Sequence, residues 1–135
     1  MTKLKSVVTI VIVLALMQVP MRVRAEGYTT WDHPLTAYAG VNYDTPHGGK
    51  ETYYNLPMDN IVKMMRNLGY DEESYPYWER DDGAKMLGDY VIVAANLKTY
   101  PRGTIIESSL GTAIVCDTGG FAKYNAYQLD IATTW

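Results

Sequence analysis

The chain is poor in cysteine, histidine and phenylalanine, with one Cys, two His and one Phe among 135 residues. A lone cysteine, Cys116, excludes an internal disulfide framework. Because it ends an apolar run, it reads as a small buried hydrophobe rather than a reactive thiol. His33 and His47 stand in Pro- and Gly-flanked stretches without ligand spacing to each other or to a cysteine pair, so no metal site and no cofactor are expected. "ERDDGAK" lacks the alternating oxygen ligands of a calcium loop, and Ser108 and Ser109 lie in a plain turn rather than a nucleophile elbow. Long apolar runs are also scarce. The one at Ser6–Met17 is about a dozen residues, short of the ~20 that cross a hydrocarbon core.

That run follows Lys3 and Lys5 and precedes "VRA", the layout of a secretory signal peptide over residues 1–25 with a cut after Ala25. An uncleaved membrane anchor is the alternative, since Arg22 and Arg24 fall just before the cut. The remainder, 26–135, then carries 8 Lys and Arg against 15 Asp and Glu, a net charge of −7. Such a surface repels phosphates, and no basic run interleaved with aromatics offers a track for nucleic acid. The expectation is one exported domain, secreted and cell-wall associated, without stable membrane insertion after cleavage, its core filled by packing alone. A monomer is expected.

Within that domain the first stretch is rich in Gly, Pro, Thr and Tyr, with "PLTAYAGV" as its one strand-like piece and "TPHGGKE" as an exposed loop. "LPMDNIVKMMRNLGY" predicts a helix capped by Asp59 or Asn60. Ile61, Met65 and Leu68 share one face, and Gly69 ends it in a left-handed cap. "YDEESYPYWERDDGAK" reads as an irregular surface segment. After Leu87 come short strands separated by turns, "DYVIVAANL", "TIIES", "TAIVC" and "YQLDIATTW", which suggest a small barrel.

The turn "CDTGG" places a carboxylate where an apolar strand meets two glycines. Asp-Thr-Gly also marks aspartic proteases, in which two such loops share one proton. Only 18 residues follow Asp117, too few for a flap and the rest of a lobe, and that reading is set aside. "VAANLKTYPRGT", "IVCDTGGFAKYN" and "QLDIA", in this order, resemble the 3D domain, a double-psi β-barrel of bacterial cell-wall proteins named for its three aspartates. It is related to the catalytic barrel of membrane-bound lytic transglycosylase A. Pro101, Gly103 and Thr104 match the first motif; Asp117, Thr118, Gly119, Gly120 and Lys123 the second; Asp130 the third. Thr36, Ala37 and Tyr38 are similar to the family's opening strand. The likeness covers about residues 88–132, and the segment from "KETYYNLPM" to "RDDGAKML" looks like an elaboration. The family's first aspartate falls on Asn96, which keeps the shape and loses the charge.

The resemblance implies a mainly β, six-stranded double-psi β-barrel with one or two short helices inserted. It also implies non-hydrolytic cleavage of peptidoglycan glycan strands. One acid protonates the glycosidic oxygen and then, as base, helps the sugar's own 6-hydroxyl close onto the anomeric carbon. With an intramolecular nucleophile one carboxyl suffices, where ordinary glycosidases need two. By that analogy Asp130 is the general acid and base, Asp117 its partner and Asn96 a hydrogen-bonding support. An acid of this kind must hold its proton well above the usual Asp value of about 4, which burial and a nearby like charge both favour. Thr118, Gly119, Gly120, Lys123, Thr36 and Tyr38 are candidate substrate contacts. Gly119 and Gly120 can adopt positive φ and let a sugar approach closely, or simply form a tight turn between strands. Glu51 is a candidate second carboxylate entering the groove from its loop, or else a solvated surface acid. Tyr38, Tyr53, Tyr54, Tyr124 and Tyr127 are candidate sugar-stacking rings. A glycan-binding module of the same fold without cleavage, as in expansin-like proteins, is the alternative.

Overall fold

"YVIVA" is apolar at every position, the pattern of a strand buried on both faces rather than one, and it becomes the centre of the sheet. In the computed structural model, which describes residues 31–135, the expected leader and cleavage site lie outside the described residues. The strands are β1 (Val41–Asn42), β2 (Glu51–Tyr54), β3 (Tyr77–Glu79), β4 (Lys85–Leu87), β5 (Tyr90–Ala94), β6 (Ile105–Ser108), β7 (Gly111–Asp117) and β8 (Leu129–Ala132). β5 is hydrogen-bonded to β4, β7 and β8, parallel to β7 and antiparallel to the others. β2 runs parallel to β8 and carries β1 on its other side.

The described chain is therefore mainly β, with eight strands in one mixed sheet rather than the six expected, and the sheet does not close as a barrel. β1, with two residues, and β3, with three, end the path β1-β2-β8-β5-β4-β3 without pairing to each other. Two further expectations change. Glu51–Tyr54 and Lys85–Leu87 are strands of the main sheet rather than parts of an appended elaboration. "PLTAYAGV" is mostly a turn, closed by Gly40 N–H donating to Thr36 O at 3.1 Å, with only Val41 and Asn42 in a strand.

Alternation along the central strands sorts side chains between two cores. Val91 and Val93, Ala113 and Val115, and Leu129 and Ile131 bury one face. Ile92, Ile114, Cys116 and Ala132 bury the other, joined there by Met58, Met65 and Leu87. Each fully buried Val, Leu or Ile contributes roughly 1.5–3 kcal/mol of hydrophobic stabilisation.

The helix α1 (Asp59–Asn67) covers the second face. Its N-cap is Met58, with no side-chain cap bond, so Asp59 contributes charge in the first turn instead of capping. Met65 is fully buried, but Leu68 is 57% exposed and Met64 points outward, a narrower apolar stripe than the spacing suggested. The C-terminus follows the sequence. Gly69 at φ +105 lets its N–H reach Arg66 O at 3.0 Å while Tyr70 N–H reaches Met65 O at 3.1 Å, the paired bonds of a Schellman ending. A Cβ on Gly69 would meet nothing within 4 Å, so Gly69→Ala tests backbone strain alone. A loss of about 1 kcal/mol is expected, read as a lower urea midpoint with unchanged slope.

The "YPRGT" stretch is pressed onto β7. Gly103 N–H donates to Val115 O at 2.8 Å and Val115 N–H to Thr104 O at 3.0 Å. Gly103 has φ +92, and a Cβ there would collide with the Tyr70 hydroxyl oxygen. Both conformation and space thus require glycine.

Candidate functional site

Period-2 alternation from Ile114 would send Asp117 to the face opposite Cys116. A register shift prevents this: Val93 pairs with Val115, but Ala94 pairs with Asp117, leaving Cys116 as the extra residue of a bulge. Bulges re-aim side chains in this way. Ala94 also pairs with Asp130 across the antiparallel ladder. One short strand end therefore brings Asp117, from β7, and Asp130, from β8, to the helix-covered side of the sheet, at the margin of the second core.

Each carboxylate is held by a different residue of β2. Thr52 of β2 lies opposite Asp130, and its hydroxyl donates to Asp130 Oδ1 at 2.9 Å. Gln128 Nε2 donates in turn to Thr52 Oγ1 at 2.8 Å. Two residues along β2, on the same face, the Tyr54 hydroxyl donates to Asp117 Oδ2 at 3.0 Å, and Thr118 N–H occupies Asp117 Oδ1 at 2.8 Å. Both oxygens of Asp117 are thus engaged. Asp130 keeps Oδ2 without a hydrogen bond among the described residues, and the residue is partly exposed.

Electrostatics separate the two acids. Burial pushes the Asp130 carboxyl above the ordinary carboxylate range, the Thr52 hydrogen bond partly offsets this, and the charge of Asp117 adds to the rise. Burial, then the Asp117 charge and hydrogen bond, push the Tyr54 phenol far above its usual value, so it stays a donor.

The other sequence candidates separate into neighbours and distant groups. Thr118, Gly119, Gly120 and Lys123 are exposed around the Asp117 turn. Neither glycine uses positive φ: Gly119 is extended at φ −159, and Gly120 begins a short 3₁₀ turn through Lys123. The left-handed option is not used. What remains is space, since a Cβ on Gly120 would meet nothing within 4 Å. Asn96 accepts the N–H groups of Lys98 and Thr99 and donates to Ala122 O at 2.9 Å. It ties the loop after β5 to the 3₁₀ turn after Asp117 and makes no hydrogen bond to either carboxylate. Aspartate there would set an oxygen against the Ala122 carbonyl, which accounts for the amide.

Thr36 and Tyr38 sit in the exposed turn before β1, with Tyr38 fully exposed, and they share no hydrogen bond with the acid pair. Of the remaining tyrosines, Tyr124 and Tyr127 are exposed on the segment between the 3₁₀ turn and β8. Tyr53 packs edge-on against Trp135 and donates to Ala37 O.

Glu51 departs furthest from expectation. It pairs with Leu129, so it faces the core opposite Asp130, and it is 0% exposed. Its carboxyl accepts Ser109 N–H at 2.9 Å and bonds the Ser109 hydroxyl, which accepts Leu35 N–H. The His47 side chain is buried beside it, Nδ1 lying 3.6 Å from Oε2 without a hydrogen bond. "TPHGGKE" is therefore not an exposed loop: Thr45, His47 and Glu51 turn inward. Glu51 is neither a groove carboxylate nor a surface acid.

Cys116 is fully buried among Ile92, Ile114 and Ala132. Burial, with the neighbouring Asp117 charge, pushes its thiol up to about 12. The native protein is expected to resist a thiol reagent at neutral pH and to label fully once unfolded. Labelling of the folded protein at the rate of a free thiol would show the strand end to be open.

Comparisons of the chain with protein-family models, with curated proteins and with solved structures find no match. No helix among the described residues is long and apolar enough to cross a membrane.

Proposed function

We propose that the chain is an exported, cell-wall-associated protein of the 3D, double-psi β-barrel type that cleaves peptidoglycan glycan strands as a lytic transglycosylase. The observation that carries this reading is Asp130. Its carboxyl is half-buried, fixed at one oxygen by Thr52, without a hydrogen bond at the other among the described residues, and pushed toward its protonated form by burial and by Asp117. The parallel pairs β5/β7 and β2/β8 support the double-psi part of the proposal.

In this reading Asp130 Oδ2 gives its proton to the glycosidic oxygen as the bond to the anomeric carbon breaks. The sugar's 6-hydroxyl then adds to that carbon and returns its proton to Asp130, forming the anhydro ring without consuming water. The Asp117 carboxylate, anchored by Tyr54 and Thr118, offsets the positive charge that develops on the sugar. Exposed Thr118, Gly119, Gly120 and Lys123 border the approach, and an acidic surface does not impede a glycan.

The second reading is a glycan-binding module of the same type without cleavage. It draws on Asn96, which stands where the family has an acid and is spent on backbone contacts. Incubation of purified protein with peptidoglycan, followed by mass spectrometry of the soluble fragments, separates the two. Cleavage releases muropeptides ending in anhydro sugars, each lacking one water relative to a hydrolytic product. Binding without such fragments leaves the module, and fragments with reducing ends would show that water is the nucleophile.

A further inference from the structure

We propose that Tyr54 is a positioning residue of the acid pair: its hydroxyl holds the Asp117 carboxylate as an acceptor and so leaves Asp130 as the carboxyl that carries the site's proton. The inference rests on the proposed role of Asp130 for its catalytic meaning, while the proton distribution it describes can be measured without substrate.

The charge of Asp117 adds to the rise of the Asp130 carboxyl, so whatever holds Asp117 as a charged acceptor also acts on Asp130. Asp117 receives donors at both oxygens, from Tyr54 and Thr118, whereas Asp130 receives one, from Thr52. Donors to a carboxylate favour its charged form. The extra donor is Tyr54, and it reaches the site from β2, the strand that also supplies Thr52. The same four-residue strand therefore sets the state of both acids.

The charged and titratable groups felt by the Tyr54 hydroxyl are Asp117, Asp130 and Cys116. Arg102 lies beside them, its Nε donating to Cys116 O at 3.0 Å. The phenol cannot compete for the proton, because burial and the two carboxylates keep it un-ionised. Its ring packs against the second core, so removing the hydroxyl leaves the apolar contacts intact. Tyr54→Phe is the matched probe.

The test is a carbon NMR titration of the Asp side-chain carboxyls in the free protein, wild type against Tyr54→Phe. In wild type the first protonation step is expected on the Asp130 carbon. In Tyr54→Phe the Asp130 step is expected to move to lower pH, and in an Asp117→Asn background Tyr54→Phe should have no further effect. Identical curves for both carbons in wild type and variant would overturn the proposal. Should Tyr54→Phe fail to fold, wild-type protein carrying labelled tyrosine ring carbon gives a second readout. The Tyr54 Cζ resonance should follow protonation of Asp130, and that step should move to lower pH in Asp117→Asn; absence of the step in wild type overturns the pairing.

In the glycan assay Tyr54→Phe should lower kcat by roughly ten- to a hundredfold, the worth of one hydrogen bond to a charged group, with KM within about twofold of wild type. A shifted Asp130 step in a protein that releases no anhydro products would uphold Tyr54 and reject transglycosylation. The two failures are therefore distinguishable.

Discussion

Asp130→Asn should abolish release of anhydro-muropeptides while making the folded protein more stable at neutral pH. The activity loss follows from the role: a positioned general acid contributes about 10²–10⁴-fold, and asparagine has no proton to give. The stability gain follows from the environment. The folded-state pKa of Asp130 lies above its unfolded value because burial and Asp117 disfavour the anion. The carboxyl's contribution to stability is therefore fully present below the unfolded value and is lost as pH rises through the folded one. Asparagine keeps an oxygen for the Thr52 hydroxyl and carries no charge, so that loss does not occur. The difference should grow from acid toward neutral pH and reach the range of about 0.5–2 kcal/mol common for relieved functional sites. Denaturant midpoints of both proteins across that range give the measurement. Retained cleavage would remove Asp130 from the mechanism, and a variant less stable than wild type at neutral pH would refute the electrostatic argument.

How legible this was in the chain depends on how local each cause is. β5 and the "AIVC" of β7 could be read because their own residues are apolar, and Asp117 stood out as the acid at a strand end and Asp130 as an acid between apolar residues. The Gly69 helix ending was equally local. Other features depend on partners far along the chain. Tyr54 meets Asp117 across 63 residues and Thr52 meets Asp130 across 78, so no window of sequence contains either pair. The "ETYY" stretch does carry a strand signal, since Thr and Tyr favour strands, and reading it would have placed β2 in the sheet. β3 was illegible for a different reason. It is an edge strand whose Trp78 and Glu79 are exposed, so it has no buried alternation to detect.

The bulge at Cys116 shows the same limit at atomic scale. Alternation puts Asp117 on the wrong face, and only the pairing with Ala94 corrects it. The positive-φ option of Gly119 and Gly120 goes unused because two adjacent glycines permit that conformation without requiring it. An extended segment running into a 3₁₀ turn reverses the chain here instead.

Glu51 presents the sharpest contrast between a polar local sequence and a buried outcome, and its removal should be the most destabilising single change. Glu51→Ala removes the carboxylate that the Ser109 N–H and hydroxyl bond in a fully buried site, takes the neighbour from His47 and opens a cavity. Depriving buried donors of their acceptor costs about 1–3 kcal/mol, to which the cavity adds, a large share of a typical domain stability of ~5–15 kcal/mol. Glu51→Gln, which keeps one oxygen but turns an amide N–H₂ toward a donor, should cost less.

The pH dependence distinguishes a neutral Glu51 from an ionised partner of His47. Burial raises the Glu51 carboxyl and lowers His47, so the folded state favours the uncharged form of each. Wild type therefore loses stability as pH rises from the unfolded Glu value through the raised folded one. Glu51→Gln lacks this loss, while the His47 contribution is common to both proteins. The stability gap should narrow as pH rises from about 5 to 7.5, measured by urea midpoints at each end. A gap that instead shrank as pH fell below the unfolded Glu value would mean that Glu51 is a buried carboxylate paired with protonated His47. The strand holding Thr52 and Tyr54 would then be anchored by an ion pair in place of a neutral network.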